Sequence, residues 1–169
     1  MDVVIKSGKS SGTIVAPPSK SVAHRALISA FLSKNATVLG AGDSDDVTAT
    51  INALKSLENA KKGTIINCKE SGSSLRFLLP LACALGAPVT FTGEGRLLSR
   101  PIDELIKVLN KHGADINGLT VNGKLSSGDY EINATISSQF ITGLLFALPL
   151  LDGESSIELI PPVESKSYL

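Results

Sequence analysis

ESGSSLRFLLPLA, residues 70–82, is the most informative stretch of the chain, because a polar, serine-rich start leads directly into an apolar run. Two other segments share this design, KSVAHRALISAFL at residues 20–32 and SSQFITGLLF at residues 137–146. Helices that are apolar nearly all round are buried. The sequence therefore predicts three buried helices in the middle of the fold, recurring at intervals of roughly 50 to 65 residues as in a protein built from repeats.

Helices of a different kind are predicted between the buried ones. Residues 101–113 begin with Pro101 and two acidic residues, carry apolar residues at helical spacing and end at Gly113, which is typical of an amphipathic surface helix. Residues 43–57 follow the same pattern, with DSDD before an apolar face. These acidic residues could suggest Mg²⁺, but a negatively charged first helical turn explains them more simply.

Short β-rich segments are predicted between the helices. They lie at residues 13–16, 36–39, 64–67, 89–92, 130–132 and 156–159, with hairpin turns at Asn117-Gly118 and Asn122-Gly123. The predicted fold class is therefore α/β (α+β), built from a βαβαββ unit with buried parallel helices that occurs about two and a half times. Because the last unit stops without a completed strand pair, the chain is expected to be truncated.

The overall composition is that of a soluble globular protein, with 169 residues, 43% of them hydrophobic. A net charge of zero and only 4% aromatic residues argue against a nucleic-acid partner, because binding to phosphate backbones normally needs a basic excess. The apolar stretches fall short of the ~20 residues that span a membrane. The N-terminus lacks a secretory signal, so we expect a cytoplasmic protein without a membrane partner.

No metal or cofactor site is expected from the sequence. Cys68 and Cys83 form no CxxC motif, which favours buried free thiols. His24 and His112 have no companions at metal-ligand spacing. Neither a P-loop, nor GxGxxG, nor a nucleophile elbow occurs, so nucleoside triphosphate chemistry and serine hydrolysis have no support.

Cations near the predicted helix starts point to a small anionic ligand. They are Lys20, Arg25, Arg76, Arg96 and Arg100. A helix N-terminus offers unpaired N–H groups and partial positive charge, so a nearby cation completes a site for phosphate or carboxylate. Simpler explanations remain open here: serine is an ordinary N-cap, loop arginines are often only solvated, and Arg76 could pair with Glu70 or Asp46.

Taken in order, these stretches resemble successive motifs of the 5-enolpyruvylshikimate-3-phosphate synthase family. The matching segments are residues 18–27, 43–47, 70–76, 93–96 with 100–102, 137–140 and 164–168. The resemblance implies a transferase of the shikimate pathway, hence of chorismate and aromatic amino-acid biosynthesis. In this reaction shikimate 3-phosphate attacks phosphoenolpyruvate to give the enolpyruvyl ether and inorganic phosphate, without a cofactor.

The resemblance also implies the enolpyruvyl transferase fold, an inside-out α/β barrel of two domains with three repeats each, whose buried helices aim their N-termini at a cleft. The family is considerably longer than this chain, so the match is to its N-terminal part. Residues 1–14 would then form opening strands that belong to the other domain. Residues 15–169 would form most of one domain, with its third repeat incomplete.

The family's binding roles transfer position by position. Phosphoenolpyruvate would be bound by Lys20, Gly72, Arg96 and Gln139. Shikimate 3-phosphate would be bound by Ser21, Arg25, Ser137, Ser138, Gln139, Ser165 and Tyr168. The groups expected to transfer protons belong to the missing half, with Lys20 and Arg96 only assisting, so the chain alone is expected to be inactive. Glu70 and Ser167 depart from the family pattern without removing a phosphate-binding group.

Three other functions compete with this assignment. UDP-N-acetylglucosamine enolpyruvyl transferase shares the fold, but Lys20 is followed by Ser21 where that family carries Asn, and the loop near Arg96 has no cysteine. RNA 3′-phosphate cyclase has related repeats, but the neutral charge disfavours RNA. A non-catalytic anion-binding module, or one half of a split enzyme, is also compatible with the length of the chain.

Overall fold

The structure is a computed structural model that describes residues 3–9, 11–33, 35–133 and 135–163. The helices are α1 Lys20–Leu32, α2 Asp45–Glu58, α3 Gly72–Leu85, α4 Asp103–Lys111 and α5 Ser138–Ala147. The strands are β1 Thr64–Asn67, β2 Val89–Thr92, β3 Ile116–Asn117, β4 Thr120–Val121, β5 Asp129–Asn133 and β6 Ser156–Ile160. Two short 3-10 helices lie at Leu97–Ser99 and Leu148–Leu150.

The strands form two sheets, and each contains a pair of parallel strands connected through a helix. The first has the order β1-β2-β4-β3, with β1 parallel to β2 and the β3–β4 hairpin antiparallel to them. The second pairs β5 with β6 in parallel. The predicted βαβαββ unit is thus complete once. We call residues 13–58 unit one, residues 64–121 unit two and residues 129–160 unit three.

Helix α3 is the centre of the hydrophobic core. Eleven of its 14 residues are buried, as predicted from its apolar sequence. Ser71 caps its start by accepting a hydrogen bond from the Ser74 N–H, and Gly86 ends it in the left-handed conformation with φ of 63°. Helix α5 is buried along the side that packs on α3, while Leu145 on its other side is 47% exposed.

Burial of α1 on all sides was also predicted, and this is wrong. Only Ala23, His24 and Ile28 are buried, whereas Val22 is 59% exposed. The physical reason is the lack of a sheet beside α1. Neither the strand predicted at residues 13–16 nor that at 36–39 is present, because no described strand lies alongside these segments to satisfy their backbone groups.

Two local predictions in unit two need smaller corrections. Asn122-Gly123 is not a turn, since the Gly123 N–H donates to the Ala114 oxygen at 2.8 Å and so extends the hairpin. A Cβ on Gly123 would lie 2.3 Å from the Gly113 oxygen, which explains the glycine. Helix α4 begins at Asp103, so Pro101 precedes the helix instead of lying in its first turn. The turn at Asn117-Gly118 is confirmed, with Gly118 at φ of 59°.

Both cysteines are buried free thiols, as predicted, and burial raises the pKa of Cys68 and of Cys83 to about 12. These thiols are therefore protonated and unreactive at neutral pH. Within the described residues, no helix is both long and apolar enough to cross a lipid bilayer.

Candidate functional site

The first turns of α1, α3 and α5 meet at one place, which we call the helix junction. In α5, Gln139 donates from Nε2 to Ser73 Oγ of α3 at 2.8 Å and accepts at Oε1 from Arg76 Nη1 at 2.9 Å. In α1, Arg25 donates from Nη2 to Thr142 Oγ1 of α5 at 3.0 Å. The three helix starts therefore converge, as the family resemblance implied.

Helices α3 and α5 run in the same direction. Gln139 lies against Arg76, and Gly143, one turn further along α5, lies against Pro80, one turn further along α3. A Cβ on Gly143 would stand only 2.5 Å from the Arg76 backbone oxygen, so glycine permits this close approach. The positive ends of both helix dipoles consequently face the junction.

Two arginines add positive charge at the start of α3. Half-buried Arg76 donates from Nη2 to the Pro101 oxygen at 3.0 Å, and its guanidinium carbon lies 5.4 Å from the centre of the Phe140 ring. Arg100 places Nη1 2.9 Å from the point that a Cβ on Gly72 would occupy. Burial lowers the pKa of Arg76, and the neighbouring charge of Arg100 lowers it further. Such a site favours an anion.

The salt bridge considered for Arg76, to Glu70 or Asp46, is wrong. Asp46 instead pairs with Lys20, whose Nζ lies 2.5 Å from Oδ2. The Glu70 carboxylate lies against Gly95, where an added Cβ would come within 2.6 Å of it. Among the described residues, Arg76 forms no salt bridge, and its hydrogen bonds go to the neutral oxygens of Gln139 and Pro101.

Arg25 connects all three helices of the junction. Besides Thr142, it donates from Nη1 to the Ser21 backbone oxygen at 2.9 Å, and its guanidinium carbon lies 5.2 Å from the centre of the Phe77 ring in α3. Cation–π and hydrogen-bond contacts together fix the orientation of a guanidinium. Contacts within the chain thus hold the Arg25 guanidinium in one orientation at the junction.

The predicted serines lie at the rim of the helix junction. Ser137 is the N-cap of α5 and accepts from the Gln139 N–H at 3.2 Å, while Ser138 is the first residue of that helix. Both are half-buried, as is Ser21 in α1. Arg96 is exposed, and its guanidinium forms no hydrogen bond or ion pair with another described residue. Ser165 and Tyr168 lie outside the described residues.

A buried chain of hydrogen bonds connects α1, α2 and α3 behind the junction. His24 Nδ1 lies 2.7 Å from Thr50 Oγ1, which lies 2.6 Å from Ser74 Oγ, and Ser74 Oγ donates to Ser71 Oγ at 2.7 Å. All four residues are at most 1% exposed. Burial lowers the pKa of His24, although the charge of Asp46 opposes this effect. These hydrogen bonds therefore link Ser71, the N-cap of α3, to a neutral histidine.

The sequence analysis predicted neither this chain of hydrogen bonds nor the position of Arg100. Thr50 shares one face of α2 with Val47 and Leu54, and a polar residue on an apolar face is the signal that could have indicated a buried partner. Arg100 gave no comparable signal, because a loop arginine can reach many places. The structure brings Arg100, and not Arg96, to Gly72.

A groove on the other side of Lys20 and Asp46 lies between α2 and the end of β1. It measures about 780 Å³ and is lined by Asp45, Asp46, Glu70 and Glu94 with Lys69 as the one cation. Lys69 Nζ is itself paired with Glu94 at 2.6 Å. A groove with this excess of carboxylates disfavours anions, which leaves the junction as the candidate anion site.

Known proteins are similar in sequence to this chain along nearly its whole length. A sequence model of the family described as EPSP synthase (3-phosphoshikimate 1-carboxyvinyltransferase) matches residues 4–166. The chain belongs to the EPSP synthase family. The fold of that family is the inside-out α/β barrel, and the repeated unit seen here is its building block.

Named relatives in the EPSP synthase family support this membership. The 3-phosphoshikimate 1-carboxyvinyltransferase of Clostridium kluyveri is 46% identical over 191 aligned positions that cover 99% of this chain and 45% of the relative. That of Brachyspira hyodysenteriae is 38% identical over 191 positions that cover 100% of this chain and 46% of the relative. The chain thus spans about 45% of the length of these relatives. The alignments are also longer than its 169 residues, so the relatives contain internal positions without a counterpart here.

Solved EPSP synthase structures share the backbone arrangement. One from Acinetobacter baumannii superposes with a TM-score of 0.76 at 23% identity, covering 91% of this chain and 41% of that chain. A second structure from the same organism gives a TM-score of 0.73 at 21% identity. These likenesses support the fold.

Proposed function

We propose that this chain is the part of an EPSP synthase that carries most of the shikimate 3-phosphate site, together with some groups for phosphoenolpyruvate. The observation that carries the proposal is the helix junction, where two parallel helix N-termini, Arg25, Arg76 and Arg100 converge without a carboxylate bound to Arg76 or Arg100 among the described residues. Both substrates are polyanions, so their phosphates and carboxylates match this charge.

Shikimate 3-phosphate would use the α1 and α5 side of the junction. Its phosphate would accept hydrogen bonds from Ser137, Ser138 and the free N–H groups at the start of α5, with Ser165 beyond the described residues. Its carboxylate would pair with Arg25 beside Ser21. Tyr168 would pack near the ring. Each bond to a charged group contributes roughly 1.5–3 kcal/mol, so these groups define the tighter site.

Phosphoenolpyruvate would use the α3 side. Its phosphate would lie at the N–H of Gly72. Arg96 and Lys20 would approach this phosphate, and Lys20 would leave Asp46 to do so. Gln139 would lie between the two substrates. Arg100, already beside Gly72, would join this set. Because Lys20 is paired with Asp46, the phosphoenolpyruvate side is the less prepared of the two.

The reaction is the transfer of an enolpyruvyl group. A hydroxyl oxygen of shikimate 3-phosphate bonds to the enolpyruvyl carbon, the bond from that carbon to the phosphate oxygen breaks, and the hydroxyl proton leaves with inorganic phosphate. The junction orients both substrates, which supplies part of the rate enhancement. The groups that move the proton would belong to the remaining part of the family's length, so this chain alone would not turn over. We place the reaction in the cytoplasm.

Two measurements test this proposal. In titration calorimetry with the isolated chain, shikimate 3-phosphate should bind weakly but detectably, and more tightly than phosphoenolpyruvate. Phosphate release with both substrates should be absent from the chain alone and appear when the C-terminal part of the Clostridium kluyveri relative is added in trans. Tighter binding of phosphoenolpyruvate, or turnover by the chain alone, would contradict the assignment of roles.

A further inference from the structure

Two Asn-Gly pairs lie in or beside the β3–β4 hairpin, at Asn117-Gly118 and Asn122-Gly123. Each pair follows a β-branched aliphatic residue, Ile116 in one case and Val121 in the other. The local sequence therefore gives both pairs nearly the same chemistry. Any difference in reactivity between them comes from the fold.

An Asn-Gly pair can be modified without an enzyme. The backbone nitrogen of the glycine attacks the side-chain carbonyl carbon of the asparagine, which closes a succinimide ring. The asparagine amide nitrogen leaves with the glycine proton as ammonia, and water then opens the ring to give aspartate or isoaspartate. The attacking nitrogen must first give up any hydrogen bond that it donates, which raises the barrier. A fold can therefore permit or prevent this reaction.

The fold protects Asn122-Gly123. The Asn122 N–H donates to the Asp115 oxygen at 3.1 Å, and the Gly123 N–H donates to the Ala114 oxygen at 2.8 Å. Backbone packs closely against this glycine, since an added Cβ would lie 2.3 Å from the Gly113 oxygen. The nitrogen that would attack is thus hydrogen-bonded, and the main chain around it cannot rotate without breaking these contacts.

The fold leaves Asn117-Gly118 accessible to the same reaction. Gly118 lies in the turn of the hairpin with φ of 59°, and nothing lies within 4 Å of an added Cβ. Among the described residues, no atom accepts a hydrogen bond from the Gly118 N–H or from the Asn117 side chain. Both residues are exposed, although Asn122 is exposed too, so exposure does not separate the two pairs.

The position of β3 in the sheet also favours reaction at Asn117. This strand is two residues long, lies at the edge of the sheet and pairs there with β4. Local opening of such an edge costs little free energy. The rotation that brings the Asn117 side chain to the Gly118 nitrogen therefore does not require the core to open.

We propose that Asn117 is a site of spontaneous deamidation and isoaspartate formation, and that the fold protects Asn122 from the same reaction. Isoaspartate inserts a methylene into the main chain, which disturbs the pairing of residue 117 with Thr120 and the burial of Ile116 beside it. Aspartate adds only a negative charge. This proposal is independent of the substrates, because the hairpin shares no residue with the helix junction.

Ageing of the chain tests both sites in one sample. The chain is incubated in mildly alkaline buffer, once native and once in urea, and peptide mapping by mass spectrometry follows the loss of each amide. An isoaspartyl methyltransferase labels the isoaspartate fraction. In urea both pairs should react at similar rates, because their local sequences match. In the native chain Asn117 should react at least about tenfold faster than Asn122.

Two variants of Asn117 serve as controls. Asn117→Gln should abolish the native-state reaction at this site, because glutamine would have to close a larger ring. Asn117→Asp adds the charge without the methylene and should keep the melting temperature of the parent, whereas the aged chain should lose a few degrees.

Several results would overturn the proposal. They are equal native rates at the two pairs, a faster native reaction at Asn122, and no native reaction at Asn117 in the time that both sites react in urea. A difference in urea as large as that in the native chain would assign the effect to local sequence and overturn it as well. Isoaspartate at residue 117 with an unchanged melting temperature would contradict the predicted loss of strand pairing.

Discussion

Helices α3 and α1 have the same sequence design but differ in how firmly the fold holds them. Helix α3 is capped at both ends and surrounded by α2, α5 and the first sheet. Helix α1 has no side-chain hydrogen bond at its N-cap Ser19 and buries only three residues. A polar start and an apolar run therefore specify where a helix begins, whereas its burial depends on how many neighbours the chain supplies.

The contrast has a functional meaning at the helix junction. The α3–α5 side is fixed by close backbone packing, while α1 reaches it through Arg25 and the His24 hydrogen bond. The α3 groups of the proposed anion site thus lie on the rigid part of the junction, whereas Lys20 of α1, also proposed for phosphoenolpyruvate, is held by Asp46. The groups on α1 depend on a few polar contacts, which single substitutions can remove.

The largest effect is expected from Gly143→Val, which disturbs the close packing of α3 against α5. The new side chain would clash with the Arg76 backbone oxygen and force α3 and α5 apart. Overpacking of this kind should cost about 3 kcal/mol, or roughly 6–12 °C in melting temperature. Gly8→Ala is the control, because nothing lies within 4 Å of the added Cβ. An unchanged melting temperature for Gly143→Val would show that α3 and α5 are not rigidly joined.

Arg25→Ala tests the α1 side. It removes a charge-assisted contact worth roughly 1.5–3 kcal/mol, so shikimate 3-phosphate should bind about one to two powers of ten more weakly in titration calorimetry. Lys107→Ala, on the exposed face of α4, is the charge-matched control and should leave affinity unchanged. Equal affinity of Arg25→Ala and the parent chain would place the shikimate site elsewhere.

Thr50→Val interrupts the buried chain of hydrogen bonds that connects α1 to α3. It leaves His24 Nδ1 and the Ser74 hydroxyl short of a partner, and an unsatisfied buried group costs about 1–3 kcal/mol in the free energy of unfolding. Thr48→Val on the exposed side of the same helix should change little, and Thr50→Ser should restore most of the loss. Denaturant unfolding measures all three. Equal stability of the Thr48 and Thr50 variants would mean that the buried hydrogen bonds of Thr50 contribute nothing to the free energy of unfolding.

Lowering the pH should reduce the contribution of His24 and its hydrogen bond to the stability of the fold. Because burial lowers the pKa of His24 below its usual 6.5, the unfolded chain takes up this proton first as the pH falls. His24 thus contributes fully above pH 6.5, and its contribution is lost as the pH falls from 6.5 through its lower folded pKa. The melting temperature of His24→Asn should fall less than that of the parent between pH 7 and 5. His112→Asn is measured in parallel, because burial also lowers the pKa of His112.

The smallest effect is expected from Asp46→Asn, which releases Lys20. The ion pair is solvent-accessible, with Lys20 53% exposed, so stability should change by at most about 1 kcal/mol and less in high salt. Phosphoenolpyruvate affinity should rise slightly, because the lysine no longer has a competing carboxylate. A loss of affinity would instead give Asp46 a direct part in the site.

Much of the helical framework was predictable from the sequence. The starts of α1, α3 and α5 follow from serine-rich caps before apolar runs, and strands β1 and β2 were predicted with the bounds observed. These features depend on local chemistry. The strands expected at residues 13–16 and 36–39 failed because a strand depends on a partner elsewhere in the chain.

The candidate site was predictable to the level of its helices but not of its contacts. Gln139 was expected between two ligands, and its bridge between Ser73 and Arg76 depends on the offset between α3 and α5. That offset is set by Gly143 against a backbone oxygen. Sequence periodicity contains no information on such an offset. The pairing of Lys20 with Asp46 likewise depends on how two helices cross.

The parallel arrangement of α3 and α5 brings like charges together at the helix junction. Two adjacent dipoles of the same direction repel each other, and Arg76 and Arg100 add like charge at their positive ends. Dissolved ions relieve such repulsion by screening. The isolated chain should therefore become more stable as ionic strength rises, with phosphate more effective than chloride at equal ionic strength. A polyanion bound at the proposed site should remove the same repulsion and so raise the stability of the chain further.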